Sequence, residues 1–596
     1  MAKHVYDDEI LGKAFDPRLA RKALVFVKPY KGLLTLAAIV VLATSGIGLI
    51  QPKLWKMAID EGIGKRDMDV VVRVALMYLG VFAVRWVFQV IQTIVVQRLG
   101  QSVLHDIRHT VFSHLQNLSL SFFDKREIGR IIARLTSDVD AVNDLLTSST
   151  LSIVTDIFMV VGIVVILVRE NLQLALITFS LVPVMAIVTS LFRAKARLAY
   201  RDVRRKVATV TASVAENVSG VRVVKSFSRE GENLRRFKQV NQDNRQAVLY
   251  AARIQAVFGP LITVLTMCGI YAVYWYGGLQ VIAGVLTIGV LVEFAAYMNL
   301  FYAPIRDMST LYQTMQGAMA GAERIFDILD TEQEIKDSPS AKDLPQINGY
   351  VEFKKVDFAY DETPILRDVS FDVAPGQTVA FVGPTGAGKT TIINLLGRQY
   401  DIRGGSITID GHDVREVTIR SLRRQMGVVL QDAFLFPGSI KENIRYGRLE
   451  ATDQEVEAVA MTVGLHEFIM ELPQKYETDV REGGTKLSSG QKQLVSFARA
   501  LLADPRILIL DEATSSVDTQ TEVIIQQALR ELLRGRTSFV IAHRLSTIVE
   551  ADMILVIEGG EIVERGTHQE LLDSGGVYAK LYDMQFEEVS SEALTE

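Results

Sequence analysis

KLSSGQKQ, Lys486 to Gln493, lies between GPTGAGKT, Gly383 to Thr390, and ILILDE, Ile507 to Glu512. A glycine-rich phosphate loop alone occurs in many unrelated folds, but these three elements in this order narrow the choice sharply. In the first, Gly383, Gly386 and Gly388, spaced by Pro384, Thr385 and Ala387, let backbone N–H groups wrap a phosphate. Lys389 offers a cation to the β- and γ-phosphates and Thr390 a hydroxyl to magnesium. A helix predicted from Thr391 to Leu396 adds its positive end. Asp511 closes a strand of four aliphatic residues, so its carboxylate emerges at the sheet edge, where it can hold magnesium. Ser488 and Gly490 open a further helix, predicted over Gln493 to Leu502. Its N-terminus also suits phosphate oxygens, although a complete phosphate loop already exists elsewhere.

The other half of the chain is apolar. The protein has 596 residues, 49% of them hydrophobic and 22% charged, with a mean hydropathy of +0.22. That length exceeds one core and requires at least two folding units. Runs suited to a bilayer fall at Gly32–Ile50, Val71–Val95, Leu151–Leu167, Leu172–Phe192, Ala256–Ile282 and Ile288–Tyr302, which predicts six spans. The first follows about 30 polar and mixed residues without a small-residue cleavage pattern and is expected to be retained. Thirteen Lys and Arg lie between Arg193 and Lys238, which places that segment, and with six spans both termini, in the cytoplasm. A net charge of -5 lacks the basic footprint of a nucleic-acid binder. The one cysteine, Cys268, excludes intrachain disulfides and reads as a small membrane-embedded hydrophobe.

Two ionisable residues stand inside the predicted spans, Glu293 in VLVEFAAY and Arg85 in FAVRWVF. A charge there costs on the order of 2.5 to 3.5 kcal/mol on insertion scales. Each is expected to face a wet substrate cavity or a partner, and a Glu293–Arg85 pair carries at least equal weight.

Apolar runs stop after Tyr312, and residues 331–349 read as a polar connector. Strands predicted at Gln377–Val382, Ile507–Leu510 and Ser538–Ile541 then mark an α/β unit with ligands at their carboxyl ends. The expected division is a membrane domain over 1–330, the linker, a nucleotide-binding domain over 350–585 and a tail over 586–596.

Together these motifs resemble the ATP-binding-cassette (ABC) transporters over nearly the whole chain, in the half-transporter arrangement of the exporters. The resemblance implies a membrane α-helical bundle of six transmembrane helices with long cytoplasmic extensions, followed by an α/β P-loop ATPase domain, with ATP and Mg2+ as cofactors. It makes Glu512 the catalytic base that polarises water, and His543, in AHRLST, the switch that contacts γ-phosphate. Gln431, in VVLQDAFLF, becomes the Q-loop residue that senses magnesium and water, Tyr360 stacks on adenine, and Asp518 belongs to the loop across the dimer interface. Thr391 completes the phosphate loop.

Leu487, Ser488, Ser489, Gly490 and Gln491 form the signature that in this family meets the phosphate loop of a second subunit. A dimer is therefore implied, of two copies of this chain or of this chain with another half-transporter. Ser489 replaces the first glycine of the usual signature pair, and TDVREGG, Thr478 to Gly484, is a loose form of its loop, so equivalence of the two sites stays open. Segments Phe122–Val139 and Glu216–Glu230 are similar to exporter loops whose crosswise helices dock on nucleotide domains. The activity implied is ATP-driven export of amphiphilic drugs or lipids across the cytoplasmic membrane. An exporter-fold importer of siderophore type and an ATP-gated channel are the alternatives.

Overall fold

In hydrocarbon a backbone must satisfy its own hydrogen bonds, so apolar runs of this length fold as helices. Every predicted span lies inside one long helix. The structure is a computed structural model that describes residues 16–484, 486–511, 519–542 and 545–592. The chain divides into two compact units, Met1–Gln116 with Ile128–Thr331, and Asn117–Glu127 with Glu332–Glu596.

In the first unit, α1 (Pro17–Val27) leads through a single turn into α2 (Lys31–Met57), and α3 (Met68–Asn117) follows. After α4 (Leu120–Asp124), which belongs to the second unit, come α5 (Ile128–Ala133), α6 (Val139–Asp144), α7 (Thr150–Glu170), α8 (Leu172–Ser219), α9 (Val221–Ser226), α10 (Glu230–Ile282) and α11 (Ile288–Asp330). Among the described residues, five helices are long and apolar enough to cross a membrane. The sixth predicted span is the shorter apolar start of α11, Ile288–Pro304.

The short connections are capped. Asn171 ends α7 and its side chain accepts from Leu174 N at 3.0 Å to start α8. Asp60, in the π-helical turn after α2, accepts from Thr287 Oγ1 at 2.5 Å and Gly289 N at 2.8 Å, and so fixes the start of α11. Buried Ile163, Leu167, Phe294, Tyr297 and Tyr302 form the core between α7, α8, α10 and α11. By contrast α3 exposes Leu76, Leu79, Phe82, Trp86 and Ile94, a face suited to lipid or to another subunit.

The second unit holds two sheets. Strands β1 (Val351–Tyr360), β2 (Thr363–Val373), β4 (Gly404–Ile409) and β5 (His412–Asp413) form an antiparallel sheet in the order β2-β1-β4-β5. The second sheet has the order β10-β9-β3-β8-β7-β6, with β3 (Thr378–Val382), β6 (Met426–Val429), β7 (Ile507–Asp511), β8 (Thr537–Ile541) and β9 (Met553–Glu558) parallel and β10 (Glu561–Gly566) antiparallel. Side chains alternate across it. Phe381, Ile509 and Phe539 enter one core with β1 and β2, while Ala380, Leu508 and Val540 enter another with Leu494, Val495 and Phe497. Burial on both faces explains why these strands read as continuous apolar runs.

The connector is less polar than its composition implies. Leu344 and Ile347 are buried in the core that β1 and β2 share with Phe381, and Gln425 ties this stretch down by accepting from Ile347 N at 3.0 Å.

Candidate nucleotide site

The phosphate loop leaves the carboxyl end of β3 and enters α12 (Lys389–Leu396). Its glycines are there for space. A Cβ on Gly383 would lie 2.2 Å from the Ile557 carbonyl oxygen, and Gly388, at φ +109°, would press a Cβ to 2.6 Å from Leu366. Both are positions that a side chain cannot take without moving backbone or core. Pro384, Thr385, Gly386 and Thr390 are exposed on the loop, whereas Ala387 and Thr391 turn inward.

Lys389 Nζ donates to the carbonyls of Gly383 at 2.6 Å and Pro384 at 3.0 Å. The ammonium is thus folded over the loop that would hold phosphate. Burial lowers its pKa from the ordinary lysine value, and Asp511 opposes that shift. Strand register explains why Asp511 acts on it: Asp511 and Phe381 both pair with Ile541 of β8. They stand level at one sheet edge, with a single strand between them.

Tyr360 ends β1. Its ring meets Phe358 edge-on at 4.8 Å and Tyr400 at 5.0 Å and 88°. The Tyr400 hydroxyl donates to Asp124 of α4. Burial, then this hydrogen bond, raises the pKa of the Tyr400 phenol. Beside them Lys125 Nζ donates to Asp361 at 2.6 Å and Ser121 to Glu334. These groups line a cleft of about 420 Å³. Ser121, Asp124 and Lys125, around the start of the segment Phe122–Val139, thus lie beside the aromatic cluster. None of Asp124, Lys125 or Tyr400 was singled out from sequence, since contacts between residues 276 apart leave no local pattern.

The signature helix begins earlier than its sequence suggests, at Ser489 rather than Gln493, and runs to Ala503. A capping box sets the start: Ser488 Oγ accepts from Gln491 N at 3.2 Å while Gln491 Oε1 accepts from Ser488 N at 2.9 Å. Leu487 and Gly490 are buried, and Ser488 and Ser489 are exposed at the helix's positive end.

Gln431 is exposed at the end of β6. Its loop is held by the signature helix, from which Arg499 donates to Phe434 O at 3.2 Å and to Asn443 O at 3.0 Å. Glu512, Asp518 and His543 lie outside the described residues. The donor set that is described is one ammonium, hydroxyls, a carboxylate, an amide and helix N-termini. It suits a polyphosphate carrying a hard, oxygen-bound cation.

In the membrane unit Glu293 and Arg85 do not pair. Arg85 Nη1 donates to Gln51 Oε1 at 2.7 Å. Glu293 is fully buried and lies 3.5 Å from Lys56 Nζ. The sequence could show that each needed a partner, but the choice depended on how α2 is rotated against α3 and α11.

Comparison with known proteins agrees with this geometry. Residues 34–305 match the model for the ABC transporter transmembrane region, and residues 366–515 that for ABC transporters. A fatty acid ABC transporter ATP-binding/permease protein of Mycobacterium bovis is 43% identical over 81% of this chain and 76% of its own length. An ATP-dependent lipid A-core flippase of Syntrophus aciditrophicus is 36% identical over 95% and 94%. A bacterial Atm1-family ABC exporter solved with ATP bound superposes with a TM-score of 0.75 at 32% identity, covering 96% of this chain and 99% of that one.

Proposed function

Because the chain belongs to the ABC transporter family, as an exporter-type half-transporter with its membrane and ATPase regions on one polypeptide, we propose that it moves amphiphilic lipids or drugs across the cell membrane at the expense of ATP. One observation supports a lipid-like cargo above others. The likeness to a lipid A-core flippase runs through 95% of this chain, membrane helices included.

In this reading six spans keep both termini and the ATPase in the cytoplasm. Lys389 and the backbone of the phosphate loop hold the β- and γ-phosphates, Tyr360 stacks on adenine, and Thr390, Asp511 and Gln431 hold magnesium. Glu512 orients water, His543 contacts γ-phosphate, and Ser488 with the signature helix closes the site from a second subunit. Bound ATP with its magnesium supplies the charge that draws two nucleotide units together. The chain's own residues make closure favourable only through contacts that exist in the closed pair.

The second subunit is a second copy of this chain. Lys389, Glu512 and His543 are all present, so a symmetric pair carries two complete sites. The tip of the second loop supports a partner: α9 buries none of its residues, and Val221, Val223 and Phe227 are exposed.

The test is reconstitution of the chain alone in liposomes with fluorescent phospholipid, fatty acid and cationic dye as alternative cargoes. ATP-dependent movement of the lipids, absent in Glu512→Gln, supports the reading. ATPase activity stimulated by none of the three overturns the cargo class. An inactive product rescued by another half-transporter overturns the homodimer.

A further inference from the structure

Two acids and one ammonium meet where α2, α7 and α11 come together. Lys56, in the last turn of α2, donates to Glu170 Oε2 at 2.6 Å. Its Nζ lies 3.5 Å from Glu293 Oε2, in the second turn of α11. Glu170 is the final residue of α7. Among the described residues neither oxygen of Glu293 has a hydrogen-bond partner. Phe294 and Leu167 nearby are fully buried, and the neighbouring Tyr297 hydroxyl is already given to Leu49 O at 2.6 Å.

One cation therefore contacts two carboxylates from two helices, with Lys53 acting on Glu293 from further off. The short contact answers Glu170, and the long one leaves Glu293 held by charge alone. Removing the ammonium would leave the fully buried Glu293 facing the partly exposed Glu170 with no cation between them, which drives their helices apart or draws in water.

We propose that Lys56 is a positioning residue of the transport cycle, clasping the outer ends of α2, α7 and α11 shut until outward opening pulls it from one of its carboxylates. Its place at the outer end rests on the topology given under Proposed function. Lys56 acts through Glu170 and Glu293.

The experiment reads access from outside with a membrane-impermeant maleimide, in a Cys268→Ser background. Leu167→Cys, fully buried one turn below Glu170, reports the clasp. Val285→Cys, exposed after α10, reports topology. With Lys56 intact, Leu167→Cys labels slowly without nucleotide and faster after trapping with ATP and vanadate. Lys56→Gln raises the nucleotide-free rate roughly tenfold or more and abolishes the nucleotide dependence, while Lys56→Arg restores both.

The triple variant Lys56→Gln, Glu170→Gln, Glu293→Gln removes the repulsion along with the clasp and labels faster than the parent but more slowly than Lys56→Gln. This separates charge-driven opening from misfolding. Equal rates for Lys56→Gln and its parent, or a triple variant as fast as Lys56→Gln, overturn the proposal while Val285→Cys still labels from outside. Labelling of Val285→Cys only in inverted vesicles overturns the topology, and the assignment with it.

Discussion

Tyr360 stands edge-on to Tyr400, with ring centroids 5.0 Å apart, and Tyr400 in turn donates its hydroxyl to Asp124 of α4. Two side chains thus link the end of β1 to the segment that continues into the membrane helices.

Tyr400→Phe keeps the ring contact and deletes only the hydrogen bond. ATP affinity is expected to change by less than about fivefold, since the net worth of one such bond is about 1 kcal/mol. Stimulation of ATPase by cargo should fall, because the loop tip loses an anchor. Nucleotide titration and cargo-stimulated turnover measured on one preparation check this.

Glu512→Gln should bind ATP and magnesium normally and lose turnover by about 10²–10⁴-fold, the usual contribution of a positioned general base. Lys389→Ala should instead weaken ATP binding itself. Normal turnover in the Glu512 variant would remove it from the base role.

Alkaline pH should weaken ATP binding earlier than an ordinary lysine would allow. Burial lowers the pKa of Lys389, and phosphate favours the charged form. Affinity is therefore greatest where the ammonium is protonated before binding, and it declines as pH rises through the lowered value. Binding curves between pH 7 and 10 give the slope, and Lys389→Arg, which keeps its charge throughout, should flatten it.

Ser488→Ala removes the capping hydroxyl and should cost about 1 kcal/mol of stability in the nucleotide domain. Thermal unfolding reads that loss. ATPase activity should drop by more than stability explains, because in the proposed dimer the same position faces nucleotide from the opposite subunit. A drop in melting temperature with turnover intact would confine Ser488 to capping.

Much of this was legible in the chain because the chemistry is local. The phosphate loop needs contiguous glycines and a lysine, and Asp511 needs only an aliphatic run before it, so Gly383 to Thr390 and Ile507 to Asp511 appear where the sequence puts them. Membrane helices are equally legible, since hydrocarbon leaves the backbone no alternative. What failed to show depends on rotation and distance. Arg85 went to Gln51 and Glu293 to Lys56, and the signature helix began at Ser489 because a side-chain cap outweighs the apolar pattern that starts further along. Tyr400 had no signal until Asp124 came beside it.

The helices that leave the bilayer are also beams. At 1.5 Å per residue, the 53 residues of α10 make a rod of about 80 Å, paired along its length with α8. A rod of that length that rocks by about 5° sweeps its far end through about 7 Å. In the proposed transport cycle, a small tilt entering at one end of such a rod is geared up to the width of an acyl chain at the other end. Stiffness along these rods, rather than force at the nucleotide, then sets how far the gate travels.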